Sequence, residues 1–189
     1  MDDAILLSPH SLEIHKSLQE LQSQLKLTEE GDIASYLGLR VFKLQSGDIT
    51  LSQPQLIASF LKDLNFSENT KHKSIPAAST HLLQHDQNGE PFNEHWDYRS
   101  VIGKLNFLEK SSWPDIAFGV HQCMCFASNL RKSHAEAVKQ IGRYLIGTCD
   151  KGLILQPNPK QSFFVWADAN FVVNWNEVTA MSNVTTAKA

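Results

Sequence analysis

Apolar positions recur along this chain with helical spacing in some stretches and as short continuous runs in others. Ile14, Leu18, Leu21 and Leu25 follow one another at intervals of 4, 3 and 4, which draws one apolar stripe along a helix. Ser8-Pro9 precedes them, so the helix is predicted to open with Ser8 as N-cap and Pro9 at its first position. Ahead of it, Ala4-Ile5-Leu6-Leu7 reads as a short buried strand. Tyr36-Leu37-Gly38-Leu39-Arg40-Val41-Phe42-Lys43-Leu44 reads as one strand and Ile49-Thr50-Leu51 as its partner, with Gly47-Asp48 between them turning a hairpin. A second helix is expected from about Gln53, with Pro54 in its first turn and Leu56, Ile57, Phe60, Leu61 and Leu64 on one face.

Residues 65–95 carry turn formers and little periodicity, and read as a long connection, extended around Ser74-Ile75-Pro76. Three helices follow. The first puts Tyr98, Val101, Ile102, Leu105 and Leu108 on one face. The second opens at Ser112-Trp113-Pro114-Asp115 and carries Ile116, Val120 and Met124; the third buries Ala137, Val138, Ile141, Tyr144 and Leu145. Ile154-Leu155 and Phe163-Phe164-Val165-Trp166 read as two late strands, paired with each other across residues 157–160. Beyond Asn170 the pattern fades into Asn, Thr, Ser and Ala, and a poorly ordered tail is expected.

The mixture of helices and antiparallel strands gives an α+β fold class. Of 189 residues, 42% are apolar and 20% charged, which excludes a wholly disordered chain. No apolar run approaches the ~20 residues of a membrane-spanning helix, so no membrane partner is expected. Three cysteines suit a reducing compartment better than a disulfide framework. Met1-Asp2-Asp3 offers no basic leader, so an intracellular location, cytoplasm or nucleus, is the expectation. The net charge of −3 hides an uneven distribution: residues 101–160 carry 8 basic and 4 acidic side chains, making them the one candidate footprint for a polyanion. Nothing in the sequence sets an oligomeric state.

Candidate chemistry is sparse. Asp2 and Asp3 are either an acidic chain end or paired carboxylates for Mg²⁺, which takes oxygen ligands. Gly103 lies inside a predicted helix, where Gly costs about 1 kcal/mol against Ala. Close packing of another element and close approach of a ligand are both adequate reasons, and Lys104 and Phe107 beside it lie off the apolar stripe. Lys132, Lys139 and Arg143 fall on one line of the last helix, interrupted by Glu136; such a line either meets phosphates or faces solvent. His81 with His85 and His121 with Cys125 share helical spacing, but a structural zinc site needs four ligands. There is no Gly-rich phosphate loop and no nucleophile elbow.

Taken in order, several segments resemble the reverse transcriptase of Ty1/copia-type retrotransposon Pol polyproteins. Asp2-Asp3 before Ala4-Ile5-Leu6-Leu7 looks like the end of the Tyr-x-Asp-Asp box, with Met1 at its variable position. Tyr36-Leu37-Gly38-Leu39-Arg40-Val41 is similar to the primer-grip strand, and Ile49-Thr50-Leu51-Ser52-Gln53 to its return strand. Tyr98-Arg99-Ser100-Val101-Ile102-Gly103-Lys104-Leu105 is similar to the thumb helix, and Pro114-Asp115-Ile116-Ala117 to the Arg-Pro-Asp-Ile-Ala segment. His134-Ala135-Glu136-Ala137 leads into Arg143-Tyr144-Leu145-Ile146-Gly147-Thr148, like the next helix, and Ala167-Asp168-Ala169 looks like the first strand end of ribonuclease H.

The resemblance implies a palm remnant with a primer-grip hairpin over residues 1–65, thumb- or connection-like helices over 66–150, and the start of a ribonuclease H-like domain over 151–189. It implies catalytic roles for Asp2, Asp3 and Asp168, with Asp2 and Asp3 as Mg²⁺ ligands. It implies contact with an RNA/DNA template–primer duplex through Tyr36, Leu37, Gly38, Gly103 and Lys104, joined by Lys132, Lys139 and Arg143. Trp113 stands where the family has Arg, Leu130 where it has Pro, and Asn170 where it has Asp. The fingers and the third polymerase carboxylate are not in this sequence, so the chain alone is expected to be catalytically incomplete, a clipped or decayed element. The other readings are a non-catalytic nucleic-acid-binding module and a functionless α+β domain.

Overall fold

A computed structural model describes residues 4–31, 33–67, 69–77 and 83–156. The helices begin where the sequence supplies a start. Pro54, with its fixed φ, opens α2 (Pro54–Asp63) behind Gln53. Asp97 caps α3 (Tyr98–Ser111) by accepting from the backbone N–H groups of Arg99 and Ser100 at 2.9 and 3.4 Å. Pro114 opens a single 3₁₀ turn (Pro114–Ile116) that runs into α4 (Ala117–Met124). At the start of α5 (Lys132–Ile146), the Arg131 N–H donates to Nδ1 of His134 at 3.0 Å and the His134 N–H donates back to the Arg131 carbonyl.

These four helices make the core. Ile57, Phe60 and Leu64 of the α2 segment, five apolar side chains of α3 from Tyr98 to Leu108, Val120 of α4, and Val138, Ile141 and Leu145 of α5 bury against one another. α3 packs on α2 and α4, and α5 packs on the same two. Gly142 explains how α5 reaches α2: a Cβ there would meet Phe66 at 2.5 Å and Leu64 at 3.2 Å. Two polar links cross the core. The Ser112 hydroxyl donates to Oε1 of Gln53 at 2.8 Å, joining the end of α3 to the start of α2, and the Tyr98 hydroxyl donates to the Cys123 carbonyl at 3.0 Å. The connection before α3 is tied to α5: the Lys73 N–H donates to the Arg143 carbonyl, and Gln140 donates to the Ile75 carbonyl at 2.9 Å.

Against this cluster stands a four-stranded antiparallel sheet of β1 (Ser35–Tyr36), β2 (Leu39–Lys43), β3 (Ile49–Ser52) and β4 (Leu153–Leu155), in that order. The fold class is α+β, as the sequence pattern requires. The continuous strand expected from Tyr36 to Leu44 breaks at Leu37 and Gly38, whose φ angles are +49° and +78°. With Tyr36 paired to Leu39, these two residues form a two-residue hairpin turn of the primed kind, which needs positive φ at both positions. The Gly47 turn between β2 and β3 forms as expected, with φ at +92°. Ile154 pairs with Thr50 of β3; its expected partner at 163–166 lies outside the described residues, as does the tail beyond 170.

Two N-terminal expectations change. Ala4-Ile5-Leu6-Leu7 is not a strand, and Leu7 is 87% exposed. No neighbouring strand among the described residues satisfies its backbone groups, and a lone strand does not persist in water. α1 (Ser11–Gln24) forms, but its N-cap is His10 rather than Ser8. Ser8 instead accepts from the His10 N–H at 3.1 Å and donates to Glu13 at 2.6 Å. None of the residues of α1 is buried. No helix among the described residues is long and apolar enough to cross a membrane.

Candidate nucleic-acid interface

The tip of the β1–β2 hairpin and the outer side of α3 face one groove of about 620 Å³, lined by Tyr36, Leu37, Gly38, Arg40, Gln53 and Phe107 among others. Three of the predicted contact residues therefore meet here. Leu37 is held in the left-handed region and is 60% exposed, so the turn projects an apolar side chain. Phe107, one turn beyond Gly103 on α3, is 44% exposed. Gly103 is also exposed, and a Cβ placed on it would meet nothing within 4 Å. Of the two reasons for this glycine, packing by another element finds no support among the described residues.

Two further groups of the groove escaped the sequence reading. Gln53 is fully buried; its Oε1 is used by Ser112, while its Nε2 has no hydrogen-bond partner among the described residues. Arg40 makes no ion pair among the described residues. No periodicity marks either one. Phe107 was visible in principle, as an aromatic one turn from Gly103 on the polar side of α3.

The predicted cations are placed differently. Lys104 turns from the groove and donates to Ser59 at 2.7 Å and Asp63 at 2.6 Å, clipping α3 to α2. Lys132 pairs with Glu90 at 2.7 Å, and that bond raises the pKa of its ammonium. Lys139 sits between Glu94 at 2.5 Å and Glu136 at 3.5 Å. Arg143 pairs with Glu136 at 3.6 Å and lies 6.0 Å from the centre of the Phe66 ring. The line of three on α5 exists, but each member has an acidic partner in the fold and none lines the groove.

Other candidates are committed elsewhere. His85 meets the Asn129 amide at 2.9 Å, His121 meets the buried Glu109 at 3.1 Å, and the Cys125 thiol donates to the His121 carbonyl. His81 lies outside the described residues. Among the described residues no three His, Cys, Asp or Glu side chains are placed to share a metal ion. Asp2, Asp3 and Asp168, the implied Mg²⁺ ligands and ribonuclease H carboxylate, also lie outside the described residues.

Comparison with known proteins bears on this arrangement. Over 171 residues, 90% of the chain, it is 25% identical to the retrovirus-related Pol polyprotein from transposon RE1 of Arabidopsis thaliana. The chain is related to retrotransposon Pol polyproteins. A second Pol polyprotein, from transposon TNT 1-94 of Nicotiana tabacum, is 29% identical over 154 residues. The putative transposon Ty5-1 protein of Saccharomyces cerevisiae is 25% identical over 170 residues. This Pol-related chain spans only 11% of the RE1 polyprotein, 12% of the TNT 1-94 polyprotein and 54% of the Ty5-1 protein. No family model matches it, and no solved structure does.

Proposed function

We propose that the chain is the primer-holding part of a retrotransposon reverse transcriptase and grips an RNA/DNA or DNA duplex between the β1–β2 hairpin and α3. The observation that carries this reading is Gly103. A glycine in the middle of a helix costs about 1 kcal/mol, nothing among the described residues packs on it, and it stands one turn from the groove's exposed Phe107. A bare helix backbone admits another backbone to close range. Around it, Arg40 offers a cation to a phosphate, and Tyr36, Leu37 and Phe107 offer apolar contact with sugars. Such contacts position a duplex without reading its sequence. Lys132, Lys139 and Arg143 contribute to the same duplex only where it displaces their acidic partners. Asp2 and Asp3 would supply carboxylates to Mg²⁺, which organises phosphoryl transfer, and Asp168 one ligand of a ribonuclease H-type site.

Fluorescence anisotropy of a labelled RNA–DNA hybrid tests the grip. Gly103→Ala is expected to raise the urea midpoint, because Ala is the better helix former and has room, while weakening hybrid binding. Gly103→Leu should weaken it further. Binding that is equal in all three proteins would overturn the proposal. Adding deoxynucleotides and Mg²⁺ to the same complex reports synthesis separately from binding, and none is expected.

A further inference from the structure

A second concavity, of about 560 Å³, lies between the connection before α3 and the helices α4 and α5. It falls within the usual size of small-ligand sites. Pro76, Leu83, Phe118 and Ile141 provide apolar wall, and Gln122, Ser133 and Asp86 provide the polar groups. Phe118 and Gln122 are four apart on α4, so ring and amide stand on one face, a turn apart. Phe118 is 54% exposed, an aromatic surface with no core to cover. Gln122 is the opposite: it is 7% exposed, and its Oε1 has no hydrogen-bond partner among the described residues. Buried polar atoms in folded proteins are nearly always paired, so this amide, set in a largely apolar wall, points to a polar occupant. A half-turn about its last torsion exchanges its donor and acceptor ends, so it can present either one.

Asp86 decides the chemistry of that occupant. The Ser133 hydroxyl donates to its Oδ2 at 2.8 Å, the carboxylate folds back against Gly89 at the rim, and Oδ1 accepts no hydrogen bond among the described residues. His85, also at the rim, is engaged by Asn129 and contributes no second site. We propose that the cavity takes one unstacked nucleobase bearing an exocyclic amino group, adenine in particular. The base stacks on Phe118, as single bases do on exposed aromatic rings. The Gln122 amide pairs with the amino group and the adjacent ring nitrogen, the two-bond match between Gln and adenine. Asp86 accepts the second amino hydrogen. A base with a carbonyl in place of the amino group would set that oxygen against the carboxylate and is rejected. The base comes either from a free nucleoside or from a single-stranded end. The site is separate from the groove at Gly103 and does not rest on the duplex reading.

Titration of the full chain with adenosine, inosine and a short oligodeoxyadenylate, read by calorimetry and ligand-observed NMR, tests this. Adenosine should saturate one site, with inosine at least about tenfold weaker, the lower part of the discrimination a two-bond base contact gives. A tighter oligomer identifies the strand as the source; an oligomer no tighter than adenosine identifies the nucleoside. Phe118→Ala, an exposed change that leaves the core intact, should abolish binding, and Asp86→Asn should narrow the gap between adenosine and inosine. Gln122→Leu should also abolish binding if it folds, and the Phe118 variant decides the matter if it does not. Gly103→Ala should leave adenosine binding unchanged. No saturation by millimolar adenosine, equal binding of inosine, or full binding by the Phe118 variant would each overturn the proposal.

Discussion

Leu37 is the clearest local cost in the fold. An L-residue other than Gly, Asn or Asp in the left-handed region loses roughly 1–2 kcal/mol through contact of its Cβ with the backbone, and Leu37 sits there at φ +49°. Asn tolerates that conformation, and Asn-Gly is the favoured pair for such a turn. Leu37→Asn is therefore expected to stabilise the chain by about 0.5–1 kcal/mol in urea titration, while duplex binding weakens because the apolar tip is gone. A stabilised variant with undiminished binding would show that Leu37 is not part of the grip. Buried ionisable groups set a second expectation. Burial pushes the Cys123 thiol from 9.0 up to about 12, and burial also raises the Tyr98 hydroxyl above its ordinary 10.0. Both groups fold in their neutral form. Their contribution is complete below the unfolded values and is lost as pH rises through the folded ones. The urea midpoint should therefore decline from about pH 9 toward pH 12, and Tyr98→Phe should make the decline shallower. A midpoint that stays level across that window contradicts this assignment.

Among the elements, α1 is the one without a core. None of its residues is buried, so removing residues 4–24 should leave the urea midpoint and near-ultraviolet spectrum unchanged; a lower midpoint would reveal a contact that the stripe makes in solution. Leu105 marks the other extreme. It is fully buried at the centre of α3, and Leu105→Ala should cost about 2–5 kcal/mol. This contrast also defines what was legible in the sequence. Apolar spacing located α2 to α5 because in those helices the periodic residues, Ile57, Phe60, Leu105, Val120 and Ile141 among them, are the buried ones. The same spacing in α1 announced a helix but carried no information about a partner. The Leu37-Gly38 turn was hidden inside an apolar run, because Leu gives no turn signal in the position where Asn or Asp would. The acidic partners of Lys132 and Lys139 stand 42 and 45 residues away in a connection without periodicity. The α5 line was therefore visible from sequence and its neutralisation was not. Gln53, Gln122 and Asp86 are single polar residues whose meaning depends wholly on what surrounds them in three dimensions.

At the scale of the whole molecule, the four cations nominated for phosphate contact are neutralised locally. Lys104, Lys132, Lys139 and Arg143 all meet carboxylates, so a duplex held at the groove should depend only weakly on salt. Glu94→Gln with Glu136→Gln releases Lys139 and Arg143. If α5 lies in the footprint, the slope of log K against log salt should steepen by up to about 1.8, at about 0.9 per phosphate met. An unchanged slope would place α5 outside it. The sheet spans the chain in a different way, since Leu51 of β3 pairs with Leu153 of β4, a separation of about 100 residues. A chain made from its N-terminus at about 5–20 residues per second spends roughly 5–20 s with β3 synthesised and β4 not yet emerged. For that interval β1, β2 and β3 form a three-stranded ribbon whose β3 edge is open, a template for pairing with any neighbouring strand. Expression yield should thus depend on the speed of translation between Ser52 and Leu153, a vulnerability of the β3 edge that belongs to the order of synthesis and closes when β4 pairs with it.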